Sequence, residues 1–369
     1  MMRTVSLSDI CTKITSGGTP LTKRGDYYGG DIPWLRTQEI NFCNIYSTEK
    51  TITELGLKNS SAKIIPKDSV IVAMYGATAG KSAINKIPLA TNQACCNLII
   101  DNSKADYKFV YYYLVNSYEK LLSAAVGAAQ QNLGSKQISA MTINLPLLDQ
   151  QKKIANILCS LDEKIELNRR MNETFKQLGQ ALFRRYFVDK ARQINGNIQT
   201  IPLGKKLHPK RGRSLQARDM ICGDTPVISG GLKPAGFHNE ANTTAPVITI
   251  SASGANAGFV SAWGEPVWSA DSSYIDSTIT KYIYTYYLFL KNKQKEIYDM
   301  QTGSGQPHIY PKHIELLEIA DLSDCEFNDF EQRVRPLFDM IHENKKQIDY
   351  LSNIRDSLLP KLISGGIEI

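Results

Sequence analysis

The chain has 369 residues, of which 42% are hydrophobic and 21% are charged, and its formal net charge is +7. This is the composition of an ordinary folded protein with room for two or more domains, and it argues against a disordered chain. The sequence contains neither a signal peptide nor an apolar run of membrane-spanning length, so we expect a cytoplasmic protein. The positive charge permits a polyanionic partner such as DNA.

The seven cysteines and five histidines do not follow a metal-binding pattern. The sequence contains no CxxC, HxxxH or HExxH spacing. Zinc sites and disulfide frameworks usually show such spacings or paired cysteines. We therefore expect reduced thiols and no metal site.

The stretch GATAGKS at 76–82 is similar to the phosphate-binding loop of an ATPase. It is one residue shorter than the G-x-x-x-x-G-K-[ST] pattern, in which successive backbone N–H groups surround the phosphates. The stretch recurs as GANAGFV at 254–260, where Phe259 replaces Lys81. We therefore interpret both as tight glycine turns between strands, and keep a nucleotide-binding enzyme as the less favoured alternative.

The sequence repeats itself over most of its length. Residues 5–14 align with 201–210, 76–94 with 254–272, and 127–138 with 303–314. The offset falls from 196 to 176 along the chain, so the first copy holds about twenty extra residues, which we place within 27–63. Such self-similarity predicts one structural unit used twice.

Each copy is followed by an apolar seam with alternating steps of four and three residues. Sustained over four heptads, this spacing predicts two long helices that pair as a coiled coil. Asn168 and Asn344 take equivalent seam positions, and we interpret them as a register device; the alternative is two exposed asparagines on amphipathic surface helices. The central seam positions are Leu158, Leu161, Ile165 and Asn168 in the first helix and Leu337, Ile341, Asn344 and Ile348 in the second.

These patterns predict an α+β fold. We expect two heads of mixed sheet and helix, related by a pseudo-two-fold axis and separated by two long antiparallel coiled-coil helices. The predicted bounds are 1–148 for the first head, 149–190 for the first helix, 191–325 for the second head and 326–369 for the second helix.

The layout resembles the specificity subunit of Type I restriction–modification systems. The resemblance covers essentially the whole chain. It is carried by ITSGGTP at 14–20, DIPWLRTQEI at 31–40, LPLLDQQKKIANILCSLDEKIELNRRMNETFKQL at 145–178 and SLLPKLISGGIEI at 357–369. The segment before the second helix, IADLSDCEFNDFEQRV at 319–334, departs from the LPLLDQQKKI form.

The resemblance implies a DNA-reading protein with partners. Each head would be a target-recognition domain for one half of a bipartite, asymmetric sequence in double-stranded DNA. The helices would set the spacing and dock two methyltransferase subunits, which restriction and motor subunits would join. S-adenosylmethionine, ATP and magnesium would then belong to the partners, and this chain would hold no cofactor.

The residues themselves also favour a non-catalytic protein. The sequence has no N/D-P-P-Y/F tetrapeptide of adenine methyltransferases and no GxGxxG after a strand. A third alternative, beside the enzyme, is a coiled-coil scaffold with two protein-binding heads.

Basic and amide side chains are the candidates for DNA contact, because Lys and Arg bind phosphates while Gln, Asn, Lys and Arg bond to base edges. In the first head they are Lys23, Arg24, Arg36, Lys81, Asn92, Gln93, Gln130, Gln131 and Lys136. In the second head they are Lys205, Lys206, Lys210, Arg211, Arg213, Gln306, His308 and Lys312.

Five of the second head's cations fall within residues 205–213, and we expect them to form one basic loop on a phosphate track, the alternative being a solvated charge run. Positions that differ between the copies, such as Lys81 and Phe259, are the better candidates for base discrimination. Shared positions, such as Gln130 and Gln306, suit a structural or phosphate role.

Overall fold

The chain folds into two units that share its two long helices. The computed structural model describes residues 2–124, 132–189, 199–303, 305–367 and 369. Unit 1 contains Met1–Ile165 and Tyr350–Ile369, and unit 2 contains Glu166–Asp349. Each unit therefore includes part of both helices, whereas the sequence-based division into heads and helices stays a prediction.

Unit 1 is built from short strands followed by short helices. Its elements are β1 (Arg3–Ser6), β2 (Cys11–Ser16), β3 (Tyr28–Leu35), β4 (Cys43–Ile45), β5 (Lys50–Ile52), α1 (Glu54–Lys58), β6 (Ile64–Ile65), β7 (Val70–Ala73), β8 (Ser82–Asn85), β9 (Leu89–Thr91), β10 (Cys95–Ile100), α2 (Tyr107–Asn116), α3 (Tyr118–Ala124), α4 (Ser135–Ala140) and β11 (Thr142–Leu145). The first long helix, α5 (Leu148–Phe183), follows and ends in a π-helical turn at Arg184–Asp189.

Unit 2 repeats this order. Its elements are β12 (Thr200–Pro202), β13 (Lys210–Arg211), β14 (Thr225–Ile228), β15 (Gly236–His238), β16 (Val247–Ser251), β17 (Val260–Trp263), β18 (Trp268–Ser269), β19 (Ser272–Asp276), α6 (Ile283–Asn292), α7 (Gln294–Asp299), α8 (Pro311–Glu315) and β20 (Glu318–Ala320). The second long helix, α9 (Asp324–Ser364), ends before Gly365, whose φ is +76°.

The two units have the same sheet topology. The central sheet has the order β2-β10-β7-β8 in unit 1 and β13-β19-β16-β17 in unit 2. A second sheet centres on β3 or β14, each paired with one antiparallel strand (β5 or β15) and one parallel strand (β9 or β18). A third pairing joins β1 to β11 and β12 to β20, both antiparallel. The duplication inferred from the sequence is thus present in the fold.

Unit 1 has two strands, β4 and β6, that have no counterpart among the described residues of unit 2. They lie at 43–45 and 64–65, at or next to the predicted insertion. In unit 1, β4 covers the outer edge of β8 by parallel pairing. In unit 2, the side chains of Lys291 and Gln294 bond to the backbone oxygen and nitrogen of Val260 on β17. Both arrangements occupy backbone groups that an open sheet edge would expose.

The central strands are buried on both faces, which explains their continuous apolar runs. In β7, Val70 and Val72 belong to the core that contains α2 and parts of both long helices, while Ile71 and Ala73 belong to a separate core against the second sheet. In unit 2, Ile248 likewise packs on the helical side and Val247 on the other. Each unit therefore contains a central sheet between two apolar layers.

The GATAGKS stretch is a turn between two antiparallel strands, which confirms the predicted glycine turn and contradicts the less favoured alternative of a phosphate-binding loop. Gly76–Thr78 forms a single 3₁₀ turn, and strand β8 follows where that loop would need a helix. Gly76 and Gly80 have φ near +80°, as have their counterparts Gly254 and Gly258 at +80° and +88°. Only glycine adopts this backbone conformation without strain, which explains why both copies keep both glycines.

The two long helices run antiparallel, as predicted. In unit 2, Asn168 contacts Gln347 and Asn172 contacts Asn344, so the residue order is opposite on the two helices. In unit 1, Ile154 and Leu158 join Leu359 and Leu362 in one core. All the central seam positions are buried or half-buried: Leu158, Leu161, Ile165, Asn168, Leu337, Ile341, Asn344 and Ile348.

The paired glycines give a graded stability prediction. An alanine Cβ at Gly258 would lie 2.7 Å from Cγ2 of Ile297, whereas one at Gly254 meets no atom within 4 Å. We expect Gly254→Ala to cost about 1 kcal/mol from the positive φ alone, and Gly258→Ala to cost about 2–3 kcal/mol because overlap adds to it. Chemical unfolding of the three proteins measures the difference; equal costs would contradict the packing described around α7.

Candidate DNA interface

In unit 1, five loops meet at one edge of the central sheet. Strands β2 and β7 end there and β8, β10 and β4 begin there, as their pairing shows. We call this group of loops the first edge; it comprises residues 17–20, 36–42, 74–81, 91–94 and 132–134. Backbone hydrogen bonds hold it together, from Gly18 to Thr91 (2.9 Å), Met74 to Ala94 (2.8 Å) and Leu133 to Met74 (2.8 Å).

Four of the predicted residues lie at the first edge, namely Arg36, Lys81, Asn92 and Gln93. Lys81 donates from Nζ to Oδ1 of Asn41 at 2.7 Å and lies 5.9 Å from the centre of the Phe42 ring. Gln93 is exposed and accepts a hydrogen bond from the Thr19 hydroxyl. Asn92 uses Oδ1 to accept from the backbone N–H of Ala94, so this oxygen shapes the turn. Lys81 and Gln93 are therefore the side chains best placed to meet a ligand at this edge.

Unit 2 has the equivalent edge at the ends of β13 and β16 and the beginnings of β17 and β19. We call it the second edge; it comprises residues 211–216, 252–259, 269–271 and 305–310. Backbone bonds join Arg213 to Ser269 (2.9 Å), Gly254 to Pro307 (3.0 Å) and Ile309 to Ala252 (2.9 Å).

The second edge carries ionised side chains where the first carries amides. Arg211 pairs with Asp271 at 2.8 Å, and both side chains are about 40% exposed. Asp271 also accepts from the Ser253 hydroxyl. Asp271 is the sequence counterpart of Gln93 in the alignment at an offset of 178. The same framework thus presents an amide in one unit and a carboxylate–guanidinium pair in the other.

The remaining candidates at the second edge surround that pair. Arg213 is exposed, and its guanidinium lies 6.0 Å from the centre of the Trp268 ring. Gln306 is exposed. His308 stacks on Tyr310 with 6.0 Å between ring centres, and its Nδ1 is buried without a hydrogen-bond partner among the described residues. Lys210 is exposed one residue before Arg211.

The expectation of one basic loop at 205–213 is wrong. Residues 203–205 form a 3₁₀ turn whose Leu203 N–H donates to Leu317 O at 2.8 Å. Lys206 pairs with Asp321 at 2.8 Å and donates to the carbonyl of Leu322, just before α9. Lys205 and Lys206 therefore separate from Lys210, Arg211 and Arg213, because the first two lie in and directly after the 203–205 turn and the other three lie on and after β13.

Other candidates are engaged within the protein or lie apart from the edges. The Arg36 guanidinium lies between the carboxylates of Glu39 and Glu49, and its side chain is only 20% exposed. Arg24 forms an ion pair with Asp26 at 2.7 Å in an exposed turn next to Lys23.

Lys136 and Lys312 are exposed at equivalent second positions of α4 and α8. Gln130 and Gln131 lie outside the described residues. Contact of any of the predicted residues with DNA stays a prediction.

Sequence reasoning missed several residues that the fold brings to these edges. They are Thr19, Asn41, Tyr75, Ser253, Asp271 and Tyr310. Tyr75 is 40% exposed beside Asn132 and Gly134, and Tyr310 is 45% exposed beside His308. The alignment of Asp271 with Gln93 was an available signal for one of them; the others depend on contacts between distant loops.

The helix seam contains polar layers as well as apolar ones. Asn344 donates to Asn172 at 2.9 Å, and Asn168 donates to Gln347 at 3.2 Å. Asn168 and Asn344 thus bond to different partners on the facing helix. In unit 1, Arg355 donates to Asp162 at 2.7 Å, and Asp162 also accepts from the Tyr112 hydroxyl at 2.7 Å. Burial, together with the Asp162 charge, raises the pKa of Tyr112 well above its usual value, so Tyr112 stays a donor.

The described part of the chain contains neither a candidate metal site nor a candidate membrane-spanning helix. No three His, Cys, Asp or Glu side chains converge there in a way that could hold a metal ion. No helix there is both long and apolar enough to span a bilayer.

Comparison with known proteins assigns the chain to a family. Residues 2–177 match the family described as Type I restriction modification DNA specificity domain. The Type I restriction enzyme MjaIX specificity subunit of Methanocaldococcus jannaschii is 26% identical, with 97% of this chain and 91% of that protein aligned. Residues 2–177 thus carry a Type I DNA specificity domain, and the chain is similar to a Type I specificity subunit over nearly its whole length.

Two more relatives agree with this assignment. A specificity subunit of Mycoplasma genitalium described as S.MgeORF438P is 24% identical over 85% of this chain and 86% of that protein. The crystal structure of a Type I restriction–modification S subunit from M. genitalium has the same fold, with a TM-score of 0.72 and 21% identity over 98% of this chain and 96% of the other. The predicted family and mixed α+β fold of this chain are thus confirmed.

The Asn172–Asn344 layer gives a test of the helix seam in this chain. Asn344→Leu removes the donor and leaves the buried Oδ1 of Asn172 unbonded, so we expect a loss of about 1–3 kcal/mol. Replacing both asparagines by leucine should recover most of that loss, because an apolar pair of similar size needs no hydrogen bond. Denaturant unfolding of the single and double variants measures the coupling. Additive effects of the two substitutions would contradict the contact.

Proposed function

We propose that this chain reads a bipartite, asymmetric DNA target, with the first edge contacting one half and the second edge the other. The observation that carries the proposal is that two copies of one framework carry different side chains at equivalent positions. Lys81 and Gln93 in unit 1 stand where Phe259 and Asp271 stand in unit 2. Loops on a fixed scaffold are where recognition residues concentrate, and unlike loops suit unlike half-sites.

The chemistry of the two edges supports base readout. An exposed amide such as Gln93 has the donor and acceptor pair that matches adenine in the major groove. The second edge offers exposed guanidinium groups, which favour guanine or phosphate, and the Asp271 carboxylate, which can accept from the cytosine amino group. The two edges therefore differ in the hydrogen bonds that they can make.

We further propose that catalysis belongs to partner subunits. In this proposal, two methyltransferase subunits dock on the long helices and supply S-adenosylmethionine chemistry, and restriction subunits supply ATP- and magnesium-dependent cleavage in the cytoplasm. Exposed apolar residues on α5, namely Ile157, Leu167 and Leu178, support docking on this helix, because large apolar side chains facing solvent are common at protein interfaces. The role of this chain is then to choose where the complex acts.

Methylome mapping of cells that contain this chain and its methyltransferase partner tests the proposal. We expect a bipartite motif with two unlike halves. Gln93→Ala should change or weaken the requirement in one half only, because it alters one edge. Gln199→Ala, at an exposed position outside both edges and both long helices, is the matched control and should leave the motif unchanged. A contiguous motif, or a change in both halves from Gln93→Ala, would refute the assignment.

The salt dependence of DNA binding distinguishes basic side chains that contact phosphates from basic side chains that do not. Arg213→Gln should lower affinity for the target about three- to tenfold and reduce the dependence of log K on log salt by about one, because one counterion fewer is released. Lys205→Gln should have little effect, since the turn at 203–205 packs beside Leu317 rather than at the second edge. The reverse outcome would show that the phosphate track follows the 203–206 turn.

A further inference from the structure

In unit 1, an ionic layer lies between the two long helices. Asp162 on α5 accepts from Arg355 on α9 at 2.7 Å, and these side chains are 24% and 28% exposed. The Tyr112 hydroxyl, from α2, donates to the other carboxylate oxygen at 2.7 Å. The carboxylate and the guanidinium are therefore largely removed from water. Arg355 also pairs with the exposed Asp356 beside it at 2.8 Å, whereas Arg355 is the one cation that Asp162 contacts among the described residues.

In unit 2, the corresponding layer is made of different residues. The offset of 176 residues that relates the two copies maps Tyr112 to Leu288 and Asp162 to Phe338, and maps Gly179 to Arg355. In unit 2, Gly179 lies against Leu288 and Phe338, since a Cβ added to it would be 3.5 Å from atoms of both. Phe338 stacks on Tyr284 with 4.7 Å between ring centres. The same layer is ionic in one unit and wholly apolar in the other.

Pairing of either long helix with a second copy of itself would change both layers. If α5 took the place of α9, Gly179 would stand where Arg355 stands, and the half-buried Asp162 would lose its counter-ion. If α9 took the place of α5, Phe338 would face Arg355 instead of Gly179, so the guanidinium would lose Asp162, keep only the exposed Asp356 and meet an aromatic ring. A pair of two identical helices is symmetric, so the same mismatch occurs twice, once towards each end of the pair. A buried charge that loses its partner is strongly destabilising.

We propose that Asp162 and Arg355, with Phe338 and Gly179, form a pairing code that makes α5 associate with α9 and rejects like-with-like pairing between chains. A duplicated protein needs such a device, because its two halves are similar enough to exchange. Unpaired charges and lost packing against the wrong partner are a general source of specificity. The interface fits one partner, a helix with a cation at the position of Arg355.

The test uses the full chain, folded and then cut at a protease site inserted between Asp189 and Gln199. The two halves of the cut protein are dissociated in mild denaturant, returned to buffer and measured by native mass spectrometry. The masses distinguish dimers of two N-terminal halves (N-terminal pairs), dimers of two C-terminal halves (C-terminal pairs) and dimers of one half of each kind (mixed pairs). Random association would give N-terminal, mixed and C-terminal pairs in the ratio of about 1:2:1. We expect mixed pairs to exceed that proportion by at least about tenfold relative to like pairs.

Substitutions should redirect the pairing in opposite ways. Arg355→Gly makes the C-terminal half self-complementary at this layer, so C-terminal pairs should appear. Gly179→Arg does the same for the N-terminal half, because the introduced guanidinium then meets Asp162 of a second copy, so N-terminal pairs should appear. The charge exchange Asp162→Arg with Arg355→Asp should keep mixed pairs, whereas Asp162→Arg alone should reduce them.

Three outcomes would overturn the proposal. The first is a near-random distribution for the unsubstituted chain. The second is the failure of both Arg355→Gly and Gly179→Arg to enrich their like pairs. The third is that the charge exchange gives no higher proportion of mixed pairs than Asp162→Arg alone. If Arg355→Gly or Gly179→Arg does not refold, this third comparison decides whether the proposal holds.

Discussion

Both units depend on one contact, the burial of the α5 seam against the α9 seam. In unit 1, Ile154 and Leu158 share a core with Leu359 and Leu362. In unit 2, Phe183 and Phe187 share a core with Phe330 and Val334. The outer faces of these helices are mostly polar, and a helix of this kind takes most of its stability from packing its apolar face. The same burial that closes the seam therefore completes the core beneath each recognition unit.

With this contact in place, the chain carries one strand order twice, adds β4 and β6 in unit 1, and varies the loops at the two edges. The central strands are fixed by apolar layers on both faces, and the glycine turns by backbone conformations that other residues adopt only with strain. Neither constraint acts on exposed side chains such as Gln93 or Arg213. Exposed side chains at the two edges can therefore diverge between the units without loss of the fold, as the proposed reading of a two-part DNA target requires.

The sequence predicted the features that depend on local periodicity. The heptad steps placed Asn168 and Asn344 in the seam, and the repeated Gly76 and Gly254 identified a turn rather than a nucleotide site. It did not predict features that depend on distant contacts. Arg36 is held by Glu49, thirteen residues away, and Arg211 by Asp271, sixty residues away. The split of the 205–213 cations was missed for a similar reason, because it follows from where Leu317 and Asp321 pack.

The central claim is that each edge contacts its own half of the DNA target. Placing a photo-cross-linking amino acid at Gln93, and separately at Gln306, and sequencing the linked DNA tests this claim most directly. The account predicts that position 93 links to one half-site and position 306 to the other, with unlinked base pairs between them. Links from both positions to the same segment of DNA would contradict it.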